Sequence, residues 1–174
     1  MHEKNKVMTA RDAIARFLHD GDSLIVGNYT EGIPYSLIFE IIRQKKRGLT
    51  YYSQSGTADA EFLVAGDCVE KLCSAFIHKW GGRDAGSMVE RYQRAGKLEV
   101  EDYTNFTYNA RIAAGAYGYE LMPVLPSIMD SDVFRVRGFM GEDKFGVIKS
   151  PFSGNDIPVV PAANPDVCIL HVQR

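Results

Sequence analysis

Two short stretches collect residue types able to hold and polarise a small acid. The first is VGNYTEGIP (26–34), in which Gly27 and Gly32 bracket the Asn28 amide and the Tyr29 and Thr30 hydroxyls. It follows an apolar segment and leads into a helix, as phosphate-binding loops do. A Walker loop, however, requires Gly-Lys-Ser/Thr where this chain has Gly32, Ile33 and Pro34. The pattern G-x-G-x-x-G is absent as well, and Glu31 would repel a pyrophosphate at the helix start. What is left is a set of backbone N–H groups near a helix N-terminus with one amide and two hydroxyls, which suits a carboxylate or a thioester. The alternative is a plain strand-to-helix connection. The second stretch, YYSQSG (51–56), puts Ser53, Gln54, Ser55 and Gly56 at the end of a strand, either on the same binding edge or in a polar turn.

A nucleophile is harder to find. No serine has the G-x-S-x-G setting of a nucleophile elbow. Cys68, Cys73 and Cys168 form no C-x-x-C pair and lie in apolar segments, so they read as buried reduced thiols. His2, His19, His78 and His171 lack metal-ligand spacing, and no metal site is expected. The chain thus lacks an evident nucleophile of its own.

Charge narrows the classes further. With 20 Lys and Arg against 22 Asp and Glu, the formal net charge is −2 and no broad basic surface exists for nucleic acid. The one basic run, Arg43 to Arg47, falls at the end of a helix, where cations meet the negative end of the dipole. No signal peptide is seen and no apolar run nears the ~20 residues of a membrane span, so a cytoplasmic protein with no membrane association is expected. The length suits a single domain over 1–174.

The elements that would position these groups alternate. Residues 8–19 carry Ala10, Ile14, Phe17 and Leu18 on one helical face, with Thr9 and Asp12 spaced as a capping box. A strand follows at 23–27. Pro34 then opens a helix with Leu37, Ile38, Ile41 and Ile42 inward, and Gly48 ends it ahead of a strand at 49–53. Residues 57–65 read as a short helix and 68–77 as a third strand, with a helix as the alternative there. Ser87 and Glu90 pair as a second capping box, and a strand at 98–102 precedes a helix at 104–117. Helices between successive short strands predict an α/β domain, a mainly parallel sheet covered by helices on both faces. Six of the seven prolines fall in 123–165, which reads as an irregular excursion, a hairpin or an arm facing a partner. The stretch 165–174 reads as a buried strand, and its abrupt end suggests a chain truncated at the C-terminus.

Read together, MTARDAIARFLHDGDSLIVG, the loop entering GIPYSLIFEIIRQ, the GLT before the second strand, AGKLEVEDY, ARIAAGAYG and ANPDVCILHVQR resemble the alpha-type subunit of family I coenzyme A transferases, nearest the glutaconate CoA-transferase type. The pieces span nearly the whole chain in order. The resemblance implies the CoA-transferase fold and a subunit that meets a beta-type partner across the active site, as a heterodimer or heterotetramer. The partner would carry the nucleophilic glutamate, which takes CoA from an acyl-CoA as a glutamyl-CoA thioester and passes it to a small carboxylate. No resident cofactor is implied, and coenzyme A is the substrate.

The resemblance also assigns a role to Asn105. Relatives often carry a glutamine after the L-E-V-E strand, and Asn105 stands there as an oxyanion donor shorter by one methylene. On residue type alone it is a first-turn helix residue satisfied by backbone. Where relatives have G-G-F-G, this chain has Val26, Gly27, Asn28 and Tyr29. Two other readings of the scaffold are a hydrolase opening a cyclic β-diketone attached to CoA, and a non-catalytic subunit that binds acyl-CoA or stabilises its partner.

Overall fold

The computed structural model describes residues 6–27, 32–78, 86–135 and 144–172. Thr9 caps helix α1 (Ala10–Phe17) by accepting the Asp12 amide at 3.1 Å, so the expected capping pair forms. Ile14 and Leu18 turn inward, whereas Phe17, expected on the same face, is exposed. Strand β1 (Ser23–Gly27) and helix α2 (Tyr35–Arg43) follow, the latter burying Ile38 and Ile41 completely. Gly48 takes φ +67°, a left-handed turn that favours glycine, and feeds strand β2 (Leu49–Gly56). Helix α3 (Ala58–Ala65), strand β3 (Val69–Ile77) and helix α4 (Met88–Arg94) come next. Residues 68–77 are thus a strand, as their β-branched and aromatic content favours.

The Ser87 hydroxyl accepts the Glu90 amide at 3.4 Å and donates to Glu61 of α3, whose other oxygen takes the Met88 amide at 2.6 Å. One carboxylate from α3 therefore takes the first N–H of α4 and holds the Ser87 hydroxyl that takes another. The basic run is also locally consumed. Arg43 meets Glu40 at 2.8 Å, Lys46 donates to the Leu18 carbonyl, and Arg47 donates to the Gly66 carbonyl at 2.8 Å.

Strand β4 (Glu99–Asp102) leads into helix α5 (Asn105–Tyr117). The main sheet runs β4-β3-β2-β1-β8, all parallel, with β8 (Val167–Leu170) at its edge. Helices α1 to α4 pack on one face, around Leu24, Leu49, Tyr51, Leu63 and Leu72. Helix α5 packs on the other, with Tyr52, Cys73 and Tyr103. Alternate residues of β2 thus supply the two cores, as the period of a strand dictates.

Two expectations are corrected. The described residues of 123–165 are not an irregular excursion but contribute to a second, antiparallel sheet, β5 (Leu121–Pro123), β6 (Gly146–Lys149) and β7 (Asp156–Pro161), in the order β5-β7-β6, in which β6 and β7 form the hairpin the sequence allowed. Between β5 and β6 lie a 3₁₀ turn (Pro126–Asp130) and helix α6 (Asp132–Arg135). A proline in a strand lacks the N–H but keeps its carbonyl as an acceptor. Pro158, completely buried in β7, accepts the Val124 N–H at 2.9 Å. The second correction concerns β8, which is an exposed edge in which only Ile169 is buried. Cys168 is exposed, unlike Cys68 and Cys73, because it points away from the core that Ile169 enters.

Candidate functional site at the carboxyl edge of the sheet

Five parallel strands put all their carboxyl ends on one edge, where ligands of open α/β sheets collect. The order along that edge is Asn105 after β4, His78 after β3, Gly56 at the end of β2, Gly27 at the end of β1 and His171 after β8. Asn105 therefore stands about two strand spacings, roughly 10 Å, from β2. It is the first residue of α5 and is exposed, and its side-chain amide makes no hydrogen bond among the described residues. Thr104 takes the capping role instead. Its hydroxyl accepts the Thr107 amide at 3.1 Å while the Thr107 hydroxyl accepts the Thr104 amide at 2.9 Å. Only the Asn105 carbonyl is engaged, by Asn109 at 2.9 Å. A cleft of about 160 Å³ lined by Phe106, Leu125, Ser127, Ile128 and Ser131 opens beside this turn.

The second predicted group divides. Strand β2 continues through Gly56, so Ser53 to Gly56 pair with β3 instead of turning away. Ser53 is buried, and its hydroxyl lies 3.4 Å from Asp59, the hub of the β2–α3 junction. Asp59 also accepts from the Tyr51 hydroxyl at 2.5 Å and from the Thr57 amide and hydroxyl at 2.8 and 3.0 Å. Burial, reinforced by the Asp59 charge, holds the Tyr51 phenol well above its ordinary range. Ser53 is thus spent inside the fold, while Gln54 and Ser55 stay half-buried at the edge. Gly56 is closely packed, since a Cβ there would sit 2.7 Å from the Ile77 Cδ1 and 3.0 Å from the Ala60 Cβ.

Of the opening loop, Gly27 and Gly32 are both half-buried, and Asn28, Tyr29 and Thr30 lie outside the described residues. His171 Nδ1 lies 3.0 Å from the Gly32 carbonyl, tying the end of β8 to the entrance of α2. Gly27 packs against Leu170, whose Cδ2 would be 2.3 Å from an added Cβ.

A buried charged group went unforeseen. Glu101 and Arg111 are 2% and 4% exposed and meet at 3.3 Å; Lys144, also 4% exposed, donates to the Asp102 carbonyl at 2.8 Å. The signal in the sequence was Arg111 itself, a cation on the otherwise small, apolar face of ARIAAGAYG. Glu101 was marked by alternation in LEVED, where it faces the opposite side from Leu98 and Val100. Cys73 contacts the same guanidinium at 3.4 Å, and burial pushes its thiol up to about 12. Among the described residues no cluster of three His, Cys, Asp or Glu is placed to hold a metal. No helix among them is long and apolar enough to cross a membrane.

The family model for coenzyme A transferases matches residues 7–174. The chain belongs to the coenzyme A transferase family. It is 30% identical over 181 residues to the A component of glutaconate CoA-transferase from Acidaminococcus fermentans, covering 98% of this chain and 57% of that relative. The crystal structure of glutaconate coenzyme A-transferase from the same organism superposes with a TM-score of 0.83 at 30% identity, over 97% of this chain and 56% of that one. The crystal structure of a variant of the decarboxylase AibA/AibB gives a TM-score of 0.79 at 30% identity, over 92% and 60%. The chain thus spans somewhat more than half the length of each of these three proteins. The match to the family model includes the β4–α5 turn with Asn105 and the edge strand β8.

Proposed function

We propose that this chain is the alpha-type subunit of a CoA-transferase that moves coenzyme A between an acyl-CoA and a small carboxylic acid in the cytoplasm. A beta-type partner supplies the glutamate and completes a heterodimer or heterotetramer. The observation that carries this reading is Asn105, an unengaged amide at the carboxyl edge of the sheet in a chain of this family.

The chemistry needs such a donor. The glutamate oxygen attacks the thioester carbonyl, the carbonyl oxygen takes up the negative charge, and CoA thiolate leaves a mixed anhydride. The thiolate then attacks the glutamyl carbonyl and expels the first carboxylate, leaving a glutamyl-CoA thioester. The second carboxylate reverses both steps. Each addition places charge on an oxygen, and a fixed N–H donor stabilises it without reorganisation. Gly27 and Gly32 with Gln54, Ser55 and Gly56 line the acyl side of the edge, with Ser53 behind them as a support. Asn28, Tyr29 and Thr30, which lie outside the described residues, are assigned to substrate binding from the sequence alone.

The test is to co-express the chain with a beta-type chain bearing the glutamate motif and to assay CoA exchange between an acyl-CoA and a panel of small carboxylates. Exchange, together with inactivation by borohydride after acyl-CoA is added, is the expected result. Neither exchange nor a borohydride-sensitive thioester would overturn the reading. Because a decarboxylase shares the fold at equal identity, the assay also follows CO₂ release from a carboxylated acyl-CoA. Release without exchange would assign that chemistry in place of transfer.

A further inference from the structure

The Asn105 amide can serve only if the turn before it is rigid, and the charged residues that hold this turn are buried. Glu101, the third residue of β4, accepts from the Tyr103 hydroxyl at 2.7 Å and from Arg111 Nη1 at 3.3 Å. Arg111, nearly two turns into α5, also donates Nε to the Pro161 carbonyl at 3.1 Å and stacks 4.7 Å from the Tyr103 ring centroid. Lys144 approaches from the other side, donating to the Asp102 carbonyl and lying 5.7 Å from the same ring. The backbone of Tyr103 is fixed in turn by the Ser74 carbonyl at 2.9 Å. The four residues that deliver the chain to Asn105 are therefore gripped by β3, α5 and Lys144, with Arg111 anchored in turn on the Pro161 carbonyl of β7. Burying so many charges costs stability unless they are paired. Burial lowers the Lys144 ammonium below its ordinary range, against the opposing charges of Asp102 and Glu101.

We infer that Glu101, Arg111 and Lys144 are positioning residues that set the orientation of Asn105 at the edge of the sheet. The inference rests on the proposed role of Asn105. It leads to a dependence of turnover on Lys144, a buried residue whose hydrogen bond goes to the Asp102 carbonyl and not to the Asn105 side chain. Misplacing a catalytic group by about an ångström costs up to about 100-fold in rate, so loosening one of several grips should cost about tenfold.

The experiment is a double-mutant cycle in the two-subunit complex with Lys144→Met, which keeps the buried stem and removes the donor to Asp102, and Asn105→Ala. Lys144→Met should lower kcat about tenfold with KM for acyl-CoA unchanged, and should have no further effect once Asn105 is alanine, because coupled residues are non-additive. Hydrogen exchange at the Thr107 and Tyr108 amides, which bond to Thr104 at 3.1 and 2.9 Å, should quicken in Lys144→Met while α1 to α4 are unaffected. Additive losses, or unchanged exchange in that first turn, overturn the positioning role whatever the activity. An Asn105→Ala enzyme that keeps nearly full kcat overturns the role of Asn105 alone. Arg111→Lys, which keeps charge but cannot reach Glu101 and Pro161 together, provides a second variant; normal turnover and normal exchange in it would also sink the inference.

Discussion

Gly115 faces the carbonyl of Ala163 so closely that a Cβ on the glycine would lie 2.0 Å from that oxygen. One turn earlier, the Arg111 carbonyl accepts the Ala163 N–H at 3.0 Å. Helix α5 and the chain leaving β7 are thus joined backbone to backbone, with no room for a side chain. Gly115→Ala is expected to destabilise the protein by about 1–3 kcal/mol, the usual cost of overpacking, read as a lower urea midpoint. An unchanged midpoint would mean that the contact is looser than this.

Tyr108, one turn up α5, makes the opposite case. Its hydroxyl is buried with no hydrogen-bond partner among the described residues, a situation that costs about 1–3 kcal/mol. Burial, with lesser contributions from Cys73 and Tyr52, drives its pKa above the ordinary phenol range. Tyr108→Phe keeps the ring and removes the orphan, so the urea midpoint should stay level or rise. A clear loss of stability would show that the hydroxyl is satisfied.

Asp166 clamps the start of β8 to the start of β1. Its Oδ2 accepts from the Ser23 amide at 2.8 Å and from the Ser23 hydroxyl at 2.6 Å. Those bonds, the hydroxyl first, hold its pKa below the ordinary carboxylate range. A group depressed in the folded state binds its proton more readily when unfolded, so its contribution is full above an ordinary pKa of about 4 and fades as pH falls through the folded value. Carboxylate NMR should place Asp166 below typical aspartates. Ser23→Ala should raise it part of the way, since the amide donor stays, and should soften the acid-side loss of stability.

The three cysteines should separate in alkylation. Cys168 is exposed, while Cys68 and Cys73 are buried. The thiolate is the reactive form, and with Cys73 pushed up to about 12 hardly any exists near neutrality. One equivalent of iodoacetamide should enter the folded chain, at Cys168 by peptide mapping, and three after denaturation. Labelling of Cys73 at native pH would contradict its buried placement.

Asn105→Ala in the two-subunit complex should cost about 100-fold or more in kcat, as loss of an oxyanion donor does. Asn105→Gln, which restores the longer amide named for relatives, should retain far more. If the alanine variant loses less than about threefold, against that benchmark, the amide has no part in turnover.

Most of the element order was legible because each signal was local. Ser87 with Glu90 marked the start of α4, and the spacing of Ile38 and Ile41 marked the buried face of α2. The placing of Asn105 on an open edge was half legible. The helix start could be read, but not that Thr104 would do the capping and leave the asparagine amide unused. The burial of Ser53 could not be read, because its partner Asp59 is set by the fold of the β2–α3 junction, which spacing alone does not reveal. The second sheet was legible only as far as a hairpin, because prolines weaken strand signals, and β7 also holds Val124 through the Pro158 carbonyl. The Glu101–Arg111 pair spans ten positions and two elements, so only the tertiary arrangement makes each charge tolerable to the other.

Strand β1 is flanked by β2, its neighbour in the chain, and by β8, whose Asp166 lies 143 positions from Ser23. During synthesis, the four strands β1 to β4 of this five-stranded sheet can assemble while β8 is still being made. Its open flank then stays unpaired through several seconds of elongation at about 5–20 residues per second. A nascent chain paused within that interval exposes a bare strand edge to any passing strand, so translation speed and chaperone occupancy over this stretch bear on how much protein reaches the folded form.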